Sequence, residues 1–304
     1  AADNNIIDVK SAGNGRVVQG GATIDGLASA DADDNIPTMI VVGAMDEQNT
    51  FTDFSSFGSN VMVTAPGQNI QTTVGQNNFT NTAGTSFSAP IVTGAIALAK
   101  EQVSEANAWL IKHALARTSD KIDAGDSSDV GGWVSNSAGF EFNPNYGFGK
   151  LNTKELVDAT VDAAFVTKRA PHAQNTNPGV TFDGTGKSAS INMDAPDGTE
   201  QGAMTVLLTI NLGSFANLSG ATGTITSPSG TTHDFLFGIK EEDVLFMNDF
   251  VSWTFAVNGF WGENIDGNWQ VDITSPEDTV DWTGLNLEIH HGDYVSETSG
   301  PINI

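Results

Sequence analysis

The hydrophobic pattern changes character once along the chain. Up to about residue 165, short unbroken apolar runs alternate with longer stretches of helical period. Residues 39–44 (MIVVGA) carry no charge, follow Pro37, and predict a strand buried on both faces, as in a parallel sheet. Residues 61–65 (VMVTA), closed by Pro66 and Gly67, predict a second, and residues 6–9 (IIDV) a short strand running into a tight turn at 11–15 (SAGNG). From Ser86 an apolar run rich in Ala, Val and Ile predicts a helix ending near Val103. Its small residues, Ala89, Gly94, Ala95, Ala97 and Ala99, allow close packing, and Pro90 falls in the first turn, where a missing N–H costs little. Residues 106–118 (ANAWLIKHALART) predict a second helix, with Trp109, Leu110, His113 and Leu115 packing inward, and residues 147–152 (GFGKLN) lead into a third over 153–164. Alternating strands and helices predict an α/β domain over residues 1–165.

Beyond it the period drops to two. Residues 166–179 are polar, contain Pro171 and read as a linker. From residue 180, apolar residues alternate with polar ones between Gly, Pro and Asp turns, most clearly at 204–212 (MTVLLTINL), 252–257, 269–273 and 285–289. That spacing predicts an all-β, jelly-roll-like sandwich over 180–304. Four of the six tryptophans, Trp253, Trp261, Trp269 and Trp282, supply apolar surface for a second core.

Composition narrows the function. Thirty-seven acidic against 12 basic residues give a net charge of −25, a surface that repels phosphate backbones, so a nucleic-acid partner is not expected. Carboxylates in that number favour solubility, provide candidate Ca²⁺ ligands and fit a saline or marine setting. The absence of cysteine excludes disulfides, thiolate metal sites and cysteine catalysis. No run approaches the roughly 20 apolar residues that span a bilayer. A disulfide-free globular chain of this kind suits a secreted bacterial exoenzyme.

One stretch carries chemistry. At residues 81–98 (NTAGTSFSAPIVTGAIAL) a polar loop ends at Gly84-Thr85-Ser86, where the helix begins. A serine there lies near free backbone N–H groups and the positive end of the helix dipole. Alone, Gly-Thr-Ser reads as a helix N-cap. The longer run Gly84-Thr85-Ser86-Phe87-Ser88-Ala89-Pro90, with Gly94 following, resembles the nucleophile motif of subtilisin-like serine proteases. The segments 54–58 (FSSFG), 63–67 (VTAPG) and 146–152 (YGFGKLN) resemble further stretches of that family. The resemblance covers residues 1 to about 165 and implies the C-terminal part of a subtilisin-like parallel-sheet domain. In the β-rich part, 227–231 (SPSGT), 260–264 (FWGEN) and 267–269 (GNW) resemble the P domain of kexin-like convertases, which packs on the protease domain and supports its folding.

By this resemblance Ser86 is the catalytic nucleophile and Asn14, in 11–15 (SAGNG), donates its side-chain NH₂ to the oxyanion. Ser11, Ala12 and Gly13 form a wall of the primary specificity pocket and pair with substrate backbone. The triad's Asp and His lie upstream of the oxyanion Asn in subtilases. None of His113, His172, His233, His290 and His291 sits in a His-Gly-Thr context, so both groups are expected on an N-terminal portion of the same protease. This chain alone is then expected to be inactive. Asp25, Asp31, Asp33 and Asp34 read as a solvated acidic loop, as a Ca²⁺ site or, for Asp31, as part of an acidic specificity pocket. The expected activity is serine endopeptidase on protein or peptide substrates. The competing expectation is a non-catalytic binding or structural protein on a protease-derived scaffold.

Overall fold

The computed structural model describes residues 6–16, 36–128, 130–162, 167–168, 170–194, 202–216, 220–238, 250–275 and 279–293. The acidic stretch with Asp25, Asp31, Asp33 and Asp34 lies outside the described residues.

The first part is built on a parallel sheet of β1 (Val9–Ser11), β2 (Ile40–Met45) and β3 (Val61–Pro66), in that order. Every residue of β2 is buried, as its unbroken apolar run requires. A hairpin follows, β4 (Ile70–Val74) and β5 (Asn78–Thr82). The sequence reading had a loop here. Thr and Asn fill these strands, and the turn between them uses positive φ at Gly75 and Asn77, so hydrogen bonding rather than burial makes the element. Then come α1 (Thr85–Gln102), α2 (Ala108–Thr118), the small pair β6 (Val134–Ser135) and β7 (Glu141–Phe142), and α3 (Thr153–Asp162). In α1, Thr85, Ser88, Val92, Ala95, Ile96 and Ala99 repeat at three- and four-residue spacing and form the buried stripe.

The 146–152 motif lies along β3. The Phe148 N–H donates to the Met62 carbonyl at 3.0 Å and the Thr64 N–H to the Gly149 carbonyl at 2.9 Å. Gly147 has φ 64°, and a Cβ there would stand 2.4 Å from the Met62 carbonyl carbon, so the close approach demands glycine.

The second part packs two antiparallel sheets. One holds β8 (Thr167–Lys168), β9 (His172–Thr176), β10 (Val180–Thr181), β12 (Gly202–Ala216), β15 (Phe250–Val257) and β17 (Asp281–Asp293). The other runs β11 (Gly186–Met193), β16 (Gly267–Thr274), β13 (Thr222–Thr226) and β14 (Thr232–Phe237). The segment read as a linker, 166–179, is partly sheet: β8 and β9 both pair with β17. Its polar residues sit on an edge, where alternate side chains face water.

The two parts interlock. Trp261, expected in the second core, is buried in the first, among Trp109, Phe148, Leu110 and Met62. Its indole N–H donates to His113 Nδ1 at 3.1 Å. Lys112, only 1% exposed, donates from Nζ to the Pro37 carbonyl at 2.7 Å and to Thr205 Oγ1 at 2.9 Å, with Asn258 Oδ1 at 3.4 Å. Burial pushes its pKa down to about 7. Asn258 donates to the Asn60 carbonyl, Asn136 to the Gly259 and Trp261 carbonyls, and the Ser137 N–H to Glu263 Oε1. The 260–264 motif is therefore the contact that fastens the sandwich to the α/β part.

Candidate active site

α1 starts without a side-chain cap. Its N-cap residue is Gly84, at φ 152°, so the N-cap reading of Gly-Thr-Ser does not hold. The Thr85 hydroxyl is used elsewhere: it donates to Asn14 Oδ1 at 2.8 Å and accepts from the Gly13 N–H at 3.2 Å. The Thr85 N–H also donates to Asn14 Oδ1, at 2.9 Å. Thr85 thus takes the Asn14 carboxamide oxygen twice, and the NH₂ group is the other end of that carboxamide. A Cβ on Gly84 would stand 3.3 Å from that nitrogen, tight enough to push it aside.

Ser86 follows as the second residue of α1, exposed to solvent, and Asn14 is also exposed. The Ser86 N–H belongs to the first turn and has no intrahelical acceptor. Ser86 directly follows Thr85, whose N–H and hydroxyl both hold Asn14 Oδ1, so the two candidate residues are linked through Thr85. The loop below is held by Ser88, whose hydroxyl donates to the Pro66 carbonyl at 3.1 Å, and by the Gly84 N–H to Gly67 carbonyl bond at 2.9 Å.

Ser11 ends β1 at the edge of the sheet, and Ala12 continues the line, its N–H donating to the Val42 carbonyl at 2.9 Å. Ser11, Ala12 and Gly13 thus lead straight to Asn14. Among the described residues β1 is an end strand of this sheet and pairs with β2. His113, His172, His233, His290 and His291 lie on α2, β9, β14 and β17, none on an element carrying Ser86 or Asn14. Among the described residues no three His, Asp or Glu side chains group as metal ligands. No described helix is long and apolar enough to cross a membrane.

Sequence reasoning did not single out Thr85 beyond its place in the motif. Its partners lie more than 70 residues away, a relation that no local pattern shows.

Comparison with known proteins agrees with this architecture. The subtilase family model matches residues 1–149 and the proprotein convertase P-domain model residues 203–288. Endoprotease aex-5 of Caenorhabditis elegans is 29% identical over 284 residues, 91% of this chain and 47% of that protein. Subtilisin DY of Bacillus licheniformis is 34% identical over 90 residues, 30% of this chain and 32% of its own length. The solved serine protease of Aeromonas sobria superposes with a TM-score of 0.75 over 94% of this chain and 65% of its own. At 17% identity, that likeness is one of fold. The chain spans less than half the length of either curated relative.

Proposed function

Residues 1–149 belong to the subtilase family and residues 203–288 are a proprotein convertase P domain, and from that premise we propose that the protein is a serine endopeptidase with Ser86 as its nucleophile. Ser86 Oγ attacks the scissile carbonyl, and the oxyanion is received by Asn14 Nδ2 and the Ser86 N–H. Ser11, Ala12 and Gly13 hold the substrate backbone at the strand edge. The observation that carries this reading is the pair of hydrogen bonds from the Thr85 N–H and hydroxyl to Asn14 Oδ1, which commits the carboxamide to presenting its NH₂.

The general base and its orienting carboxylate come from an N-terminal portion of the same protease. One feature supports a neighbour there: the outer face of α1, where Ile91 is 38% and Leu98 50% exposed. Residues 1–165 form the protease part and 180–304 the sandwich, to whose sheet β8 and β9 of the joining segment 166–179 add strands. A structural Ca²⁺ at Asp25, Asp31, Asp33 and Asp34, with an acidic specificity pocket as the alternative role of Asp31, and secretion in a bacterial and saline setting complete the proposal.

A fluorophosphonate probe tests it. In the full protease, Ser86 is labelled and Ser86→Ala is not, while residues 1–304 alone cleave no peptide at an enzymatic rate. Absence of labelling in the full protease would favour the non-catalytic scaffold. For the Ca²⁺, chelation should lower the Tm and added Ca²⁺ restore it; a Tm indifferent to both would remove the ion.

A further inference from the structure

We infer that Arg16 is a positioning residue for the oxyanion donor, a role that rests on the Asn14 assignment above. Thr85 fixes the head of Asn14, but the stem of this side chain is a loop, and the loop needs an anchor of its own. Arg16 provides one two residues further on. Its Nε donates to the Ser55 carbonyl at 2.8 Å, and a terminal guanidinium nitrogen donates to Asn145 Oδ1. The planar group lies between two rings, 4.3 Å from the Phe51 centroid and 4.5 Å from the Phe57 centroid.

The backbone follows the side chain. The Ser56 N–H donates to the Gly13 carbonyl at 2.9 Å, the Gly15 N–H to Ser56 Oγ at 3.3 Å and the Arg16 N–H to the Phe54 carbonyl at 3.3 Å. Residues 13–16 are thus clamped to residues 54–56 on both sides of Asn14. In this strip of contacts Arg16 is the one charged side chain.

Its acceptor is itself fixed. Asn145 donates from Nδ2 to Asp126 Oδ2 and to Ser128 Oγ, both at 2.8 Å, and its N–H donates to Asn143 Oδ1 at 2.8 Å. Asn143 donates to the same Asp126 oxygen at 2.9 Å. The Asp126 carboxylate therefore orients two asparagines, one of which presents its oxygen to Arg16. A chain of directed bonds runs from Asp126 through Asn145 and Arg16 to the loop that carries Asn14. The geometry uses what only arginine has: a flat fork with donors on two sides and faces that accept rings.

A double-mutant cycle in the full protease tests the role. Asn14→Ala should lower kcat and leave KM within about twofold. Arg16→Gln should lower kcat roughly ten- to hundredfold, also with KM nearly unchanged, because donor placement matters in the transition state and not in substrate binding. Combined with Asn14→Ala, Arg16→Gln should cost almost nothing more, since both act through one donor. An undiminished loss in the Asn14→Ala background would overturn the inference, as would a rise in KM at constant kcat. Should Arg16→Gln fail to fold, Arg16→Lys keeps the charge and loses the fork; kcat between the wild-type and Asn14→Ala values supports the role, and wild-type kcat overturns it. Full activity of Asn14→Ala would instead sink the oxyanion assignment, a distinct result.

Discussion

Thr85, next to Ser86 in the chain, holds Asn14 across a long sequence distance. Thr85 accepts from Gly13 and donates to Asn14, joining two segments 71 or more residues apart. Thr85→Val keeps the shape and deletes both bonds. At roughly 1 kcal/mol for each, kcat should fall about tenfold or somewhat more with the fold intact; stopped-time peptide assays on the full protease check this, and an unchanged kcat would show that Asn14 needs no such hold. Asn14→Ala should cost about 10²–10³ in kcat, the loss known for a subtilisin asparagine in this role and so carried over with the family rather than derived. The roles proposed for Ser86 and Asn14 come from the sequence, where glycine-rich local motifs surround them. Arg16 and the coupling of Thr85 to Asn14 were not legible there, because their partners at Asn145, Phe51 and Gly13 meet them only in three dimensions.

At the scale of elements, buried strands and helices were readable wherever apolar side chains set the pattern. β2 and β3 follow their apolar runs, and α2 begins two residues after the expected position because Asn107 caps it, accepting from the Leu110 N–H. β4 and β5 escaped because their alternation is of Thr, Asn and Gln, and β9 because its polar residues imitate a linker. Trp261 was assigned to the wrong core, since periodicity reports that a side chain is buried and not against what. The correction has a measurable side. Trp261→Ala should cost about 3–5 kcal/mol, with Trp109 and His113 losing their cover, whereas the same change at half-buried Trp253 should cost much less. Denaturant midpoints compare the two. Lys112→Met fills the same volume but removes the donor of the Pro37 carbonyl and one partner of the Thr205 hydroxyl, which keeps its bond to Asn258 Oδ1, and should destabilise by about 1–3 kcal/mol. An unchanged midpoint would mean that water or rearrangement satisfies them.

For the molecule as a whole, the seam between the two parts is the place where pH acts. Burial holds the pKa of His113 down to about 4, with the nearby Arg117 acting in the same direction. Burial holds His233 to about 4 as well, against the opposing pull of the Gly259 backbone and Glu263. Both are neutral in the fold, while unfolded histidine titrates near 6.5. Between those values the unfolded chain binds more protons, so stability falls as pH drops from about 6.5 to about 4, by roughly 3 kcal/mol for each histidine. Thermal denaturation between pH 7 and 4 reads the loss, and the double variant His113→Gln, His233→Gln should show a shallower decline. An equally steep decline in that variant would place the acid sensitivity elsewhere, most simply among the carboxylates behind the net charge of −25.

The pairing of β17 sets a schedule for the newborn chain. β12, β9, β10 and β8 all bond to residues 281–293, so their sheet waits until the ribosome has released that strand. Trp261, which closes the core under α2, depends on the sandwich for its place. A nascent chain built this way leaves the core under α2 without Trp261 until the last third of the described chain is made. A ribosome-stalled product ending at residue 275 should accordingly show tryptophan emission of water-exposed indole, and one extending past residue 293 should not.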